Sequence, residues 1–575
     1  MYSCEKNVQI LIALLKEYGI NKVVLSPGGS DAPVVKSFEY DTDFECFSVV
    51  DERNAAYVAM GMAQELESPV VCVCTAGTAV SNYLPGITEA FYQNIPVIAI
   101  TTDSSSYLLN QLELQKIEQN TILKDVVRKQ ICLPPVKNDD DAWYCNRIVN
   151  EALLEMNHHG SGPIHINLPI TQTLECSQKQ LPTQRLIKRF DYKTDMKTFS
   201  EYLVNKKVMV IIGENSNITE EEHKLLECFY NRYNCFYSVE TISNYKGTGS
   251  VVTYQATETG AIWGNNDIVP DVVISIGNFI ASYKLKEFLK ANHLHIENWL
   301  VNESGLVRDP YKCLTRIFEC TVTEFFSRIL NEEINECKNH SYYENWKQIV
   351  DSINLENNDF SSLSVAKSLA KSIPDNSILH TAILNSTRIM QFSNFKNNIK
   401  YYSNLGALGI DGCVATFIGQ SFVTEKLSYL LIGDLSFFYG LNGTAIRGIK
   451  NNVRIILLNN GGGEEFKIKL PYTDMDKYIC AQCKRVAKGT VEDFGFEYYN
   501  AKTLDEVEKA LDIFAKPSAK PLFLEVFLDI DKDSKIIRDF YASYNKQNIN
   551  SSLKSKIGSI LPEQTKNALK TLLKK

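Results

Sequence analysis

The feature that most constrains this chain is a recurring alternation of short, continuous, β-branched runs with stretches of helical composition. Lys22-Val23-Val24-Leu25, Val70-Val71-Cys72-Val73-Cys74 and Pro96-Val97-Ile98-Ala99-Ile100 are such runs in the first third, bounded by Gly, Pro or polar residues. A strand that is apolar on both faces must be covered on both, and helices between successive strands make the sheet parallel. The pattern returns at residues 208–213 and 271–277, and again at 427–432 and 453–458. The expected fold class is α/β, with three doubly wound parallel-sheet domains.

At 575 residues the chain is too long for one core, since domains run to roughly 100–200 residues. Expected boundaries are 1–182, 183–352 and 353–550, with a Lys-rich tail at 551–575. Polar, Lys-rich stretches near 175–200 and 333–360 read as linkers. The tail carries Leu561, Leu569, Leu572 and Leu573 and reads as a frayed or docked surface helix rather than a membrane-surface one.

Net charge is −8, which argues against an electrostatic nucleic-acid binder. No apolar run approaches the roughly 18–20 residues that span a bilayer, and the first residues lack a leader pattern. No membrane partner is expected, and the expected location is cytoplasmic. The fifteen cysteines are scattered and are expected to be reduced. Cys480 and Cys483 form one Cys-x-x-Cys without the second ligand pair that structural zinc requires.

The strongest local signal is Gly433-Asp434-Leu435-Ser436, followed about one βαβ unit later by Asn459-Asn460-Gly461-Gly462-Gly463. Each half ends an apolar strand, so both fall at the carboxyl edge of a parallel sheet, where open α/β sheets bind ligands. Asp434 offers a carboxylate, Asn460 an amide oxygen and Gly462 a carbonyl, all hard donors suited to Mg²⁺. Ser436 is expected to open the following helix, facing a phosphate. Mg²⁺ held by few protein groups is normally completed by phosphate oxygens and water, so the constellation calls for a diphosphate.

Glu52 follows a strand and starts a helix rich in Ala, Gly and Met. Alone it reads as helix-start charge. Its context changes that reading, because Thr75-Ala76-Gly77-Thr78-Ala79 follows the next strand. Such a turn, built of small residues and hydroxyls, admits a flat heteroaromatic ring.

Together these residues resemble the thiamine-diphosphate enzyme superfamily, and within it the SEPHCHC synthase (MenD) family, over nearly the whole chain. The matching stretches are Ser26-Pro27-Gly28, Asp51-Glu52-Arg53, Thr75 to Ala79 with Asn82-Tyr83, and Gln115-Lys116-Ile117-Glu118-Gln119. Further along come residues 162–169, Asn385-Ser386, Ser403-Asn404, Gly409-Ile410-Asp411-Gly412, Gly433 to Ser436 with Leu441-Asn442, and Asn459 to Gly462. Gly433-Asp434-Leu435 departs from the superfamily's usual Gly-Asp-Gly, as this subfamily does.

The resemblance implies pyrimidine-binding, central and diphosphate-binding domains, with thiamine diphosphate and Mg²⁺ as cofactors. It implies that Glu52 hydrogen-bonds the aminopyrimidine nitrogen and promotes loss of the thiazolium proton. Ile410 would wedge between the two rings, and Gln115 would lie over the thiazolium. Thr75, Gly77, Thr78, Asn82, Asn385, Ser386, Gly409, Gly433, Leu435 and Ser436 would contact the cofactor, with the metal on Asp434, Asn460 and Gly462. It also implies a homodimer or homotetramer with the site at the subunit interface, a 2-oxo acid donor and an acceptor.

The substrate positions depart from that family, whose members join a succinyl unit from 2-oxoglutarate to isochorismate and meet the carboxylates with arginines. Arginines expected of the family are replaced at Ser30, Ser104 and Leu405; near Asn385 the expected one falls at Met390, where Arg388 compensates. Acids stand at Asp31 and Glu465, beside Phe466. Lys284 is a remaining cation from the middle domain. Each charged hydrogen bond is worth ~1.5–3 kcal/mol, and Asp31 and Glu465 are expected to repel anions. The expected function is therefore a MenD-like 2-oxo-acid decarboxylase or carboligase with an acceptor other than isochorismate. The alternatives are an authentic SEPHCHC synthase using relocated cations such as Arg53, Lys284 or Arg388, a simple decarboxylase, and a non-catalytic scaffold.

Overall fold

The computed structural model describes residues 1–542 apart from 172–174, 216–217, 333–338, 354–358, 394, 396–397, 471–476 and 483. The Lys-rich tail and Cys483 lie outside the described residues.

Three groups of parallel strands carry the chain. In the first, neighbouring strands run in the order Glu45–Ser48, Lys22–Ser26, Val70–Cys74, Val97–Asp103, Ile164–Pro169, Lys129–Cys132. In the last, the order is Lys400–Ser403, Ile378–Thr381, Ser428–Gly433, Val453–Asn459, Leu522–Phe527, Glu497–Ala501. Numbered along the chain, both sheets read 2-1-3-4-6-5. Between them in sequence, Ser250–Val251, Cys235–Val239, Val208–Ile212, Val272–Ile276 and Glu297–Val301 form a parallel group in that spatial order.

The two-sided burial expected of these strands is visible residue by residue. In the first sheet Val23, Leu25, Val71 and Val73 enter one core, while Val24, Val70 and Cys72 enter the opposite one. In the last, Leu431, Ile456 and Leu458 face one core, and Leu430, Ile432 and Leu457 the other. Each such aliphatic side chain contributes about 1.5–3 kcal/mol on burial, which is why a charge inside these runs would break the sheet.

By its contacts the chain divides into two compact units, Met1–Asp191 with Ser304–Glu319, and Tyr192–Glu303 with Cys320–Lys575. Residues 304–319 fold with the first unit. Three contacts account for that. Strand Leu314–Glu319 pairs in parallel with Lys188–Asp191, Trp143 Nε1 donates to Asp309 at 2.9 Å, and Lys312 pairs with Asp140. The stretches expected as linkers are structured in part. Lys188–Asp191 is a strand, and helix Ser341–Asp351 buries Tyr342 and Trp346, which both donate to the Ile268 carbonyl.

Among the described residues no helix is long and apolar enough to cross a membrane, and Cys72, Cys74 and Cys145 are buried free thiols.

Candidate active site

In each six-stranded sheet the strand order reverses between the first and third strands in sequence, and open α/β sheets bind ligands in the crevice at that point. In the first unit the crevice lies past Lys22–Ser26 and Val70–Cys74. Gly28 packs so closely on Thr75 that an added Cβ would stand 2.5 Å from the Thr75 Cβ. Ser30 Oγ lies 2.5 Å from Thr75 Oγ1 and 2.9 Å from Thr102 Oγ1, and accepts the Ala76 N–H at 3.2 Å. Gly77 adopts φ +83°, a conformation open to glycine. Its N–H donates to Gln119 Oε1 at 2.8 Å, while Gln119 Nε2 donates to Thr102 O and Asn167 Oδ1. Gln119 thus clamps the turn, a role not assigned to it above although it sits in the matched stretch.

Glu52 is the first residue of helix Glu52–Leu66, half-buried. Asp51 is the cap, accepting from the N–H groups of Arg53 and Asn54, and Glu52 is the acid of the helix's first turn. Thr78 and Asn82 lie one turn apart on the exposed face of helix Thr78–Tyr92. Gln115 is exposed with φ +58°. Ser104 stands where the family resemblance expects an arginine, and a cation reaches it from elsewhere. Lys116 Nζ donates to the Ser104 carbonyl at 2.8 Å and forms a buried ion pair with Asp103 at 2.7 Å.

In the second unit the corresponding crevice lies past Ile378–Thr381 and Ser428–Gly433. Asp434 is buried and pushed up to about 6, chiefly by burial and against the backbone N–H groups that face it. Its Oδ2 accepts from Gly461 at 2.5 Å and Gly462 at 2.9 Å, and its Oδ1 from Leu435 at 2.6 Å. Asn460 Oδ1 accepts from Gly462 at 3.2 Å. Gly461 takes φ +83° to make the wrap, and the Cys480 carbonyl braces the loop from the Gly463 N–H at 2.6 Å. No cation pairs with Asp434 among the described residues. A buried carboxylate short of positive charge, beside an amide oxygen and bare glycine backbone, fits a hard divalent cation.

Two features differ from expectation. The helix opens at Asp434 and has six residues, so Ser436 is inside it; its Oγ donates to the Ile410 carbonyl at 2.5 Å, tying the metal loop to the Gly409-Ile410 turn. Ile410 itself remains 39% exposed. Glu464, not anticipated, accepts from Asn460 Nδ2 at 3.2 Å and Asn385 Nδ2 at 3.3 Å. It is buried, and burial together with the neighbouring Asp533 pushes its carboxyl well up. Leu384 enters helix Asn385–Met390 at φ +60°, with Ser386 buried behind Asn385.

Residues 6–122 match the family model described as thiamine pyrophosphate enzyme, N-terminal TPP binding domain. The chain is 35% identical over 561 residues to the 2-succinyl-5-enolpyruvyl-6-hydroxy-3-cyclohexene-1-carboxylate synthase of Bacteroides thetaiotaomicron, covering 94% of this chain and 99% of that one. The synthases of that name from Phocaeicola vulgatus and Bacteroides fragilis are each 34% identical, covering 95% and 94% of this chain and 100% and 99% of theirs. The chain belongs to the SEPHCHC synthase family. It is a thiamine-diphosphate enzyme of the kind that couples decarboxylation to carbon–carbon bond formation.

Within this family member the substrate-side residues sit differently from expectation. A cavity of about 230 Å³ is lined by Phe279, Tyr283, Lys286, Arg388, Leu405 and Leu408 among others, so Arg388 and Leu405 are brought together. Lys284 is paired with Glu287 at 2.8 Å instead; the cation lining the cavity is Lys286, held below its ordinary range by burial. Phe466 is 40% exposed. The two acids expected to repel anions do not stand free. Glu465 is ion-paired with Arg388, and with Lys469 at 2.6 Å. Asp31 is fully buried, accepts the Gly28 N–H at 2.8 Å, and is pushed up to about 6 by burial, with a smaller contribution from Glu52. One acid is thus paired with two cations and the other is turned into the fold.

Proposed function

We propose that this chain is a Mg²⁺-dependent synthase of 2-succinyl-5-enolpyruvyl-6-hydroxy-3-cyclohexene-1-carboxylate, working on 2-oxoglutarate and isochorismate. The observation that carries this reading is the neutralisation of Glu465 between Arg388 and Lys469, which removes the repulsion that had spoken against polyanionic substrates. Near-full-length similarity to synthases of that name supports it. Arg388 and Lys286 both line the cavity, and the Arg388–Glu465–Lys469 cluster keeps one net positive charge to meet a carboxylate.

Thiamine diphosphate, when bound, supplies the electron sink for the acyl unit as CO₂ leaves. The chain's own residues do the rest. Glu52, in the first turn of its helix beside the Asp51 cap, would hydrogen-bond the aminopyrimidine edge and relay its proton. Thr75 and Gly77, locked by Ser30 and Gln119, shape the turn that receives the ring. Asp434, Asn460 and Gly462 would hold Mg²⁺, with Glu464 fixing the Asn460 amide so that its oxygen faces the loop. Ile410 and Gln115 would contact the cofactor's ring system. We propose a cytoplasmic homo-oligomer, dimer or tetramer, whose subunit contact completes the site.

A second reading, a carboligase or decarboxylase with a less anionic acceptor, rests on Ser30, whose hydroxyl is engaged by Thr75 and Thr102 where a family arginine is expected. One experiment separates the two. Purified protein with thiamine diphosphate and Mg²⁺ is given 2-oxoglutarate with and without isochorismate, and CO₂ and products are followed. The synthase reading expects the named product with isochorismate present; succinic semialdehyde alone, unchanged by isochorismate, overturns it.

A further inference from the structure

We propose that His158, His159 and Glu319 form a binding site for a borderline divalent transition metal of the zinc class, separate from the Asp434 loop. All three residues belong to the first compact unit. Glu319 Oε2 lies 3.1 Å from His158 Nε2 and Oε1 lies 2.8 Å from His159 Nε2. One donor atom from each of the three residues falls within 4.8 Å of the others. Tetrahedral zinc, with bonds of about 2.0–2.1 Å to nitrogen and oxygen, wants its donors about 3.3 Å apart. Donors that now lie up to 4.8 Å apart reach that spacing by side-chain shifts of up to about 1.5 Å.

The second nitrogen of His158 is already oriented. His158 Nδ1 lies 3.2 Å from Glu155 Oε2, and Arg189 grips the other Glu155 oxygen at 2.6 Å. A carboxylate on one ring nitrogen, with the other nitrogen turned to the site, is the arrangement by which carboxylates orient metal-binding imidazoles. His159 is turned onto the same carboxylate by a left-handed backbone, φ +55°. Its ring lies against that of His158 with centroids 4.1 Å apart. Its 72% side-chain exposure leaves a coordination position for water.

Arg189 Nε also stands 4.0 Å from Glu319 Oε2. Arg128, which donates to the Glu155 and His158 carbonyls, is the second cation here, so Arg189 and Arg128 balance Glu155 and Glu319 before an ion binds. Two imidazole nitrogens and one carboxylate suit zinc, copper or nickel, whereas magnesium prefers oxygen donors throughout. The consequence is structural. Glu319 ends the excursion Ser304–Glu319 that rejoins the first unit after a long intervening segment, and the metal clips that excursion to the end of helix Asp139–Glu155.

The test uses full-length protein saturated with thiamine diphosphate and excess Mg²⁺, titrated with zinc chloride by calorimetry and with Co²⁺ by visible absorption. One zinc per chain is expected, with a tetrahedral Co²⁺ spectrum and a rise in melting temperature. His159→Ala, an exposed change that leaves the zinc-free melting temperature unaltered, should weaken zinc at least about tenfold and abolish the Co²⁺ bands. Glu155→Gln should weaken it by about 10–100-fold through loss of orientation, and Asp434→Asn should leave it intact. No zinc uptake by the wild type, equal uptake by His159→Ala, or loss of uptake in Asp434→Asn overturns the proposal.

Discussion

The Asp434 carboxylate accepts the Gly462 N–H at 2.9 Å, so the ends of two adjacent parallel strands close around one buried acid. Burial raises that acid to about 6, above the ~3.9 of a free aspartate. A carboxyl raised on folding favours the folded state below its unfolded value and loses that stability as pH rises through its folded value. In metal-free protein at pH 7 the charge therefore opposes folding. Asp434→Asn should leave the metal-free protein no less stable at pH 7, while weakening Mg²⁺-dependent uptake of thiamine diphosphate by more than about tenfold. Calorimetry and urea unfolding of the same sample check both halves.

Glu52→Gln removes a proton-holding carboxyl and keeps its shape. Because Asp51 caps the helix, stability should be unchanged. Turnover should fall by about 10²–10⁴-fold, measured as CO₂ release with bound cofactor quantified separately.

Arg388 links Glu465 to the cavity lined by Lys286 and Leu405. Arg388→Met leaves Glu465 with Lys469 alone. We expect kcat/KM for the dicarboxylate donor to fall by about 10–100-fold, the equivalent of one charged hydrogen bond, mainly through KM. Arg388→Met, Glu465→Met should recover folding stability without recovering KM.

Gln119 makes three buried hydrogen bonds, to Gly77, Thr102 and Asn167. Gln119→Ala strands these partners and should destabilise the protein by about 1–3 kcal/mol. Affinity for the cofactor should drop as well, since the Gly77 turn loses its clamp; differential scanning calorimetry with and without cofactor separates the two effects.

His165 is fully buried with Nε2 2.8 Å from Thr101 Oγ1, and burial lowers it to about 4. A histidine depressed on folding binds protons more readily when unfolded, so its contribution is complete above about pH 6.5 and is lost as pH falls toward 4. At pH 5 this amounts to about 2 kcal/mol. The urea midpoint should drop accordingly between pH 7 and 5, and His165→Gln should show a smaller drop.

The sheets and the metal loop were legible in the sequence because they rest on local grammar. The two-sided apolar runs at 22–25, 70–74 and 453–458 leave a parallel, doubly covered strand as their only favourable environment, and strand ends in such sheets are where ligands bind. That reasoning placed Asp434 with Asn460 and Gly462, and Glu52 at a helix start. What the sequence could not decide was where charges find their partners. Asp31 and Glu465 looked free as letters. Burial of one and the pairing of the other with Arg388 and Lys469 depend on residues distant in sequence, as do the choice of Lys286 over Lys284, the clamp made by Gln119, and the return of Ser304–Glu319 to the first unit. Periodicity is a property of neighbours along the chain, whereas electrostatic compensation is a property of neighbours in space, and only the folded chain sets the latter.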